Sequence, residues 1–318
     1  MLRNICIVVS AALITSASYA QTDNSRAIKL VVPYGAGGGT DILARNLATK
    51  LAEHLGQPVI VENKGGAGSR IGTEQVVRAR PDGLNVLITD TAITTNPSLY
   101  RKMPYDASKQ LSPVSLLASA PTILVVHPSV KVNTIKEFIE LGKKSPLQMA
   151  TAGPGAAPSL ATDLLSQDVG LKVEVIPYKG VGPAIVDVVS GQVPMMFTGI
   201  SSAKQLVQAG RLKAIAVTGD ERSSSMPNVP TFAESGLKAV DAMSYWGALV
   251  PAGTDKAVID RLSAAFAKVI KLPEIQESLR QLGYNPIGST PDAFAKNLES
   301  ETTRWASVIK KSGVELAD

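Results

Sequence analysis

Short β-rich runs alternate with amphipathic helical stretches along most of the chain. Ile28 to Pro33, Val59 to Glu62 and Leu84 to Thr89 read as strands, with helical stretches at Asp41 to Leu55 and Thr73 to Ala79 between them. In the first helix Leu43, Leu47, Leu51 and Leu55 recur every fourth residue, so one face is apolar, and Gly56 followed by Pro58 supplies a stop. The rhythm resumes with a strand at Thr122 to His127. Strands at Leu147 to Thr151, Val173 to Pro177, Met195 to Thr198 and Leu212 to Thr218 then alternate with helices at Thr134 to Lys143, Pro158 to Gln167 and Ala184 to Ser190. A final strand, Tyr245 to Val250, precedes three helical stretches between Asp255 and Val314, divided by Pro273 and by Gly288-Ser289-Thr290-Pro291. These tail helices need a sheet to cover, and the first unit offers one. The pattern predicts an α/β fold of two units, with sheets covered by crossover helices. Crossings near Ala118 to Thr122 and Asp241 to Tyr245 would form a hinge, with a ligand cleft between the units.

The first twenty residues stand apart from this rhythm. Arg3 precedes an apolar run from Ile5 to Ile14 and then the small-residue stretch Thr15 to Ala20, the layout of a cleavable secretory leader. The run is too short to span a bilayer, which takes roughly 20 apolar residues. Cleavage after Ala20 would leave Gln21 first, with no cysteine at the cleavage point to carry a lipid, and a soluble, periplasmic chain is expected. The only cysteine, Cys6, lies inside the leader, so the mature chain has no disulfide, thiolate metal site or cysteine nucleophile. About 298 of the 318 residues remain, above the size at which one core usually stops growing. The expected division is a leader at 1–20, one domain from 21–119 with 243–318, and a second from 120–242.

Charge narrows the partners. The net charge is +5 and falls to +4 once Arg3 is removed, and the Lys and Arg residues are scattered rather than striped. Nucleic acid is therefore not an expected partner, whereas a mildly basic surface favours an anionic solute.

Three strand-to-helix junctions carry the candidate chemistry. Val32-Pro33-Tyr34-Gly35-Ala36-Gly37-Gly38-Gly39-Thr40-Asp41 runs from a strand through a glycine-rich turn into a helix, which brings exposed N–H groups to a helix start that favours negative charge. Asp41 or Thr40 is expected to cap that helix, with ligand contact as the alternative for those two side chains. Ile176-Pro177-Tyr178-Lys179-Gly180-Val181-Gly182-Pro183 echoes it, and Thr151-Ala152-Gly153-Pro154-Gly155-Ala156-Ala157-Pro158-Ser159 is a third. Together they suit a carboxylate gripped from both sides of a cleft.

Enzyme signatures are missing. Gly35, Gly37 and Glu62 only superficially suggest a dinucleotide fingerprint, because Thr40 stands where its third glycine belongs, and no Gly-Lys-Ser/Thr follows the loop. The two histidines, His54 and His127, sit in no metal-ligand motif, and no G-x-S-x-G elbow is present. No catalytic residue, metal or cofactor is expected.

The ordered motifs resemble those of the Bug family, the solute-binding proteins of tripartite tricarboxylate transporters. The marks are residues 32–41, Val-Glu-Asn-Lys-Gly-Gly-Ala-Gly at 61–68, Thr-Asn-Pro-Ser-Leu-Tyr at 95–100 and Val-Ser-Leu-Leu-Ala-Ser-Ala-Pro at 114–121. Pro-Tyr-Lys-Gly at 177–180, Gly-Gln-Val-Pro-Met-Met-Phe at 191–197 and Val-Pro-Ala-Gly-Thr at 250–254 complete them. The resemblance implies a two-domain periplasmic-binding-protein fold of type II that closes like a clamshell. It implies a monomer that binds a small carboxylate and delivers it to the integral membrane subunits of a transporter, or alternatively engages a membrane sensor. Tyr34 would wall the cleft, while Ala36, Gly37 and Gly38 and the loop of Gly155, Ala156 and Ala157 would contact the carboxylate. Thr89, Asp90, Thr91, Tyr178 and Thr198 would shape the distal end, each tyrosine alternatively being a rim aromatic that only packs.

Departures from the family pattern bear on the ligand. Family members commonly carry Ser or Thr at the positions of Ala156 and Ala157, His near Ser159, which is also counted in the site, and an aspartate where Thr198 stands. Lacking that aspartate, the chain is less suited to an amino acid. Asp90 replaces a residue that is usually small: facing the cleft it would favour an amine, amide or protonated ring nitrogen, and facing solvent it would leave a smoother pocket for an aliphatic or aromatic acid.

Overall fold

The computed structural model of the chain describes residues 26–151, 153, 155–178, 180–312, 316 and 317. The expected leader, with Cys6 and the cleavage point at Ala20, lies outside the described residues. The first stretch forms β1 (Ile28–Val32), α1 (Gly39–Leu55), β2 (Val59–Asn63), α2 (Arg70–Val77), β3 (Asn85–Asp90), α3 (Ala92–Leu99), α4 (Ala107–Gln110) and β4 (Leu111–Ala120). The second forms β5 (Thr122–Val126), α5 (Ile135–Lys144), β6 (Leu147–Thr151), α6 (Ala157–Val169), β7 (Val173–Pro177), α7 (Val181–Ser190), β8 (Met195–Gly199), α8 (Ile200–Gln208) and β9 (Lys213–Val217). The chain ends with β10 (Ser244–Pro251), α9 (Lys256–Ile270), α10 (Pro273–Gln281), β11 (Asn285–Pro286) and α11 (Pro291–Ser312).

Two sheets result, ordered β11-β4-β10-β3-β1-β2 and β7-β6-β8-β5-β9. In the first, β1 pairs in parallel with β2 and β3, while β10 runs antiparallel to both β3 and β4. In the second, β6 pairs in parallel with β7 and β8, and β5 runs antiparallel to β8 and β9. Each sheet has apolar clusters on both faces. Leu43, Leu47 and Leu51 of α1 join Phe266 and Leu279 of α9 and α10 on one face of the first sheet, and Val76, Ile93 and Phe294 cover the other. The leucine spacing thus does what it predicts, and Gly56 ends α1 in a left-handed conformation with its N–H on the Ala52 carbonyl.

The chain passes from the first sheet to the second between Ala120 and Thr122 and returns just before Ser244. Thr218, wholly buried, ties these passages together: its hydroxyl accepts the Thr122 N–H at 2.9 Å and donates to the Ala242 carbonyl at 3.2 Å. Of the tail helices, α9 and α10 cover the first sheet as expected. The third departs from that expectation, because α11 spans both units. Phe294, near its start, packs over Gly247 of β10, where a side chain would collide with the ring, whereas Trp305 and Ile309 complete the core of the second sheet. Arg304 adds a tether to the return passage through its bonds to the Asp241 carbonyl and carboxylate.

Three elements carry no clear periodic signal. In α3, Ala92 to Asn96 are all buried and Pro97 interrupts the backbone donors, so there is no polar face to give a helical period. Strand β4 is buried along nearly its whole length, which removes alternation. The short α8 buries only Ile200 and Ala203.

Candidate functional site

The parallel strands β1, β2 and β3 of one sheet, and β6, β7 and β8 of the other, all end in loops that enter helices, the side of an open α/β sheet where ligands bind. In the first unit these loops touch. A methyl group added at Gly65 would lie 3.1 Å from the Gly35 nitrogen, so the β1 and β2 loops meet backbone to backbone. The Tyr34 hydroxyl crosses to Asp90 Oδ1 at 2.6 Å, which joins the ends of β1 and β3. In the second unit Gly153 lies close to the Tyr178 carbonyl, so the β6 and β7 loops adjoin as well.

The two sets of loops face one another. Gly39, at the start of α1, lies beside Ser201 at the start of α8, with the Tyr284 hydroxyl donating to the Gly39 carbonyl at 2.8 Å. Gly283 packs against Ile200, and Lys204 Nζ reaches the Gln281 carbonyl at 2.9 Å. On the other flank Thr95 of α3 donates to the Gly155 carbonyl, also at 2.9 Å.

How the helices start is the informative feature. Helices α1, α6, α7 and α8 begin at Gly38, Ala156, Gly180 and Gly199, and none has a side-chain cap bond. Of the other helices, α4, α5 and α9 are capped by the side chains of Asp106, Thr134 and Asp255, while α2, α3 and α10 also start without a side-chain cap bond. The first amides of a helix have no intrahelical acceptor, and where no side chain takes them they remain for a ligand, at the positive end of the helix dipole. Four such helix starts rim the crevice between the units.

The side chains at the junctions mostly hold the loops in shape. The Asp41 carboxylate accepts from the Gly37 N–H at 2.8 Å, from Asn63 at 2.9 Å and from Arg45 at 3.0 Å. Burial pushes its pKa up, but those three donors outweigh it and hold it below the usual range. Thr40 accepts the Trp246 indole N–H at 3.0 Å; neither residue caps the helix as expected, because both lie inside α1, whose N-cap is Gly38 with no side-chain bond, and they brace the loop instead. Ser159 spends its hydroxyl on the Gly153 carbonyl at 2.6 Å, and Thr91 accepts the Tyr245 N–H at 3.0 Å. Thr89 and Thr198 are buried with hydroxyls that have no protein partner, and the Tyr178 hydroxyl donates to Asp187 at 2.6 Å. Ala36 and Gly37 are exposed, Gly38 and Ala156 half-buried, and Gly155 and Ala157 buried.

Asp90 is neither freely solvated nor paired with a cation. Its Oδ1 takes the Tyr34 hydroxyl and, at 3.0 Å, the Ala92 N–H. Burial raises the Asp90 pKa against the pull of those donors, and burial with the adjacent Asp90 charge holds the Tyr34 phenol well above its ordinary value.

The sequence reading missed the loop from Lys64 to Arg70 as a site element. Ala67 and Ser69 both take positive φ, at 48° and 74°, and Asn96 Nδ2 pins the loop through the Gly68 carbonyl at 2.8 Å. Non-glycine residues in that region are strained and cluster at ligand sites. The run of glycines was the available signal, but the positive φ at Ala67 and Ser69 had none. His54 is exposed in the last turn of α1, and His127 Nδ1 forms a local turn with Ser129 at 2.7 Å. Among the described residues no group of His, Cys, Asp and Glu is placed to hold a metal ion, and no helix is long and apolar enough to cross a membrane. A groove of about 840 Å³ between α3, α4 and α11 shares none of the crevice loops.

The description "tripartite tricarboxylate transporter family receptor" belongs to the family whose sequence model matches residues 43–314. Among solved structures, the periplasmic binding protein BugD is 37% identical, with a TM-score of 0.86 over 91% of this chain and 98% of that one. A protein of R. palustris solved with adipate is 30% identical, with a TM-score of 0.87 over 90% and 97%. MatC from Rhodopseudomonas palustris, solved with bound malate, is 29% identical, with a TM-score of 0.82 over 89% and 98%.

Proposed function

The chain belongs to the tripartite tricarboxylate transporter receptor family, which includes the Bug proteins and has a two-domain periplasmic-binding-protein fold, and from that premise we propose that it is a periplasmic receptor for a small carboxylate. It releases that ligand to the integral membrane subunits of a transporter and carries out no turnover itself. The observation that carries this reading is the set of four helix starts without side-chain caps, at Gly38, Ala156, Gly180 and Gly199, arranged around one crevice. Converging amides and helix dipoles stabilise an anion without a single cationic side chain.

In this reading the amides of Ala36 and Gly38 hold the carboxylate from the first domain (residues 21–119 and 243–318), while the Gly37 N–H, expected in the site, is already taken by the Asp41 carboxylate. The amides around Ala156 and Ala157 hold it from the second (120–242). Tyr34, Asp90 and Tyr178 meet the distal end, and the buried Thr89 and Thr198 shape the wall behind it. Contacts from both domains favour the closed state because the open state cannot make them together. The adipate and malate bound by two relatives make dicarboxylates the first class to test.

The test is a thermal-shift screen of residues 21–318 against mono-, di- and tricarboxylates, aromatic acids, amino acids and amides, at pH 7. A ligand at 100 times its dissociation constant stabilises the folded state by about 2.7 kcal/mol, a rise of several degrees at this size. A response confined to acids supports the reading. No response from a protein that mass spectrometry shows to be ligand-free overturns it.

A further inference from the structure

Thr95 lies in the middle of α3 and is wholly buried, yet its hydroxyl leaves its own unit to reach the Gly155 carbonyl at 2.9 Å. Gly155 has φ +81°, a conformation that side chains resist, and it has no room for one. A methyl group there would come within 2.8 Å of Thr95 Oγ1, 2.9 Å of Leu99 Cδ1 and 3.0 Å of Asn96 Oδ1. The Cα of Gly155 is therefore seated directly on α3. Behind it the loop is stiffened by Ser159, whose hydroxyl holds the Gly153 carbonyl.

We infer that Thr95 and Gly155 form a closure latch, a pair of positioning residues that sets the balance between open and closed receptor without touching the ligand. The second acceptor near Thr95 supports this role: the Ala92 carbonyl, one turn back in the same helix, lies 3.4 Å from its hydroxyl. When the units part, the hydroxyl turns to that carbonyl, and no buried donor is stranded. The latch thus favours closure by only the difference between two hydrogen bonds plus the packing of one Cα. Closure stays poised, and ligand contacts decide it. The inference rests on the receptor reading only in that a ligand must favour the closed form.

The experiment needs no ligand. The only cysteine, Cys6, lies in the leader, so residues 21–318 carrying Arg80→Cys and Lys172→Cys take one spin label on each unit, both at exposed positions. Distance distributions between the labels are compared for the parent, Thr95→Val, Thr95→Ser and Gly155→Ala. Longer distances are expected in Thr95→Val and Gly155→Ala, while Thr95→Ser, which keeps the donor, matches the parent. Any acid that responds in the thermal screen should bind Thr95→Val more weakly, by less than the roughly fivefold that one whole hydrogen bond is worth, because the variant loses only the difference between the two acceptors. Should Gly155→Ala fail to fold, Thr95→Val carries the test alone. A Thr95→Val distribution identical to the parent overturns the latch, and it does so whether or not the carboxylate reading survives its own screen.

Discussion

The Tyr34 hydroxyl donates to Asp90 Oδ1 at 2.6 Å and so joins the ends of two parallel strands at the edge of the crevice. No described cation neutralises that carboxylate, and the phenol and the Ala92 N–H are its side-chain and backbone donors. Tyr34→Phe should therefore destabilise the ligand-free protein by about 1–2 kcal/mol, the range for removing one partner of a buried polar group. Denaturant titration at pH 7 measures it, and an unchanged midpoint would show that water replaces the phenol at no cost.

Asp90→Ser should change which acids bind. On the proposed reading, in which Asp90 meets the ligand, ligands bearing an amine or amide lose affinity relative to plain dicarboxylates. Calorimetry against a matched pair, one with and one without nitrogen, reads the ratio directly. Equal losses for both would place Asp90 outside ligand contact.

At Gly38 an added Cβ would meet only the Gly35 carbonyl oxygen at 3.9 Å, and its φ of −81° suits any residue. Gly38→Leu should still fold, with a loss of about 1 kcal/mol because leucine is a poorer helix N-cap than glycine. Its bulk blocks approach to the amides at the start of α1, so binding should fall at least a hundredfold. Undiminished affinity would remove that loop from the site.

Thr218→Val would leave the Thr122 N–H and the Ala242 carbonyl buried without their partner. A loss of about 2–4 kcal/mol is expected, with Thr218→Ser recovering most of it. Thermal denaturation of the pair checks this, and an equal loss in both variants would assign the effect to the methyl group.

Asp163, on α6, has its pKa raised to about 6 by burial. Its folded-state value lies above the ordinary 3.8, so the folded protein holds the proton more tightly than the unfolded chain does. The associated stability is complete below that ordinary value and is lost as pH rises through about 6. Asp163→Asn, which cannot ionise, should be more stable than the parent by about 1–3 kcal/mol at pH 8 and indistinguishable from it near pH 3.5. A constant difference across pH would show that packing, not ionisation, separates them.

Much of this architecture is readable where one physical requirement dominates. The leucines of α1 repeat because one face must be apolar, and the glycines between 35 and 39 mark a turn in which Gly37 takes a positive φ of 84° that favours glycine. The passages between sheets coincide with breaks in the strand rhythm near Pro121 and Ala242. What stayed hidden was long-range. Nothing local says that the Thr91 hydroxyl serves Tyr245 or that Thr95 reaches across to Gly155, because each partner is chosen by the fold. Likewise α3 buries its polar Thr94, Thr95 and Asn96, which erases the period a surface helix would show.

The placement of α11 fixes when the protein can finish folding. Residues 122–217 contain every strand of the second sheet, so a ribosome releases that sheet complete in sequence well before the end of the chain. Its core nevertheless awaits Trp305 and Ile309, and the first sheet awaits β10 and Phe294. The first core closes only once α11 has begun, and the second only near the end of that helix. A chain built this way leaves both cores incomplete until its C-terminal helix is in place.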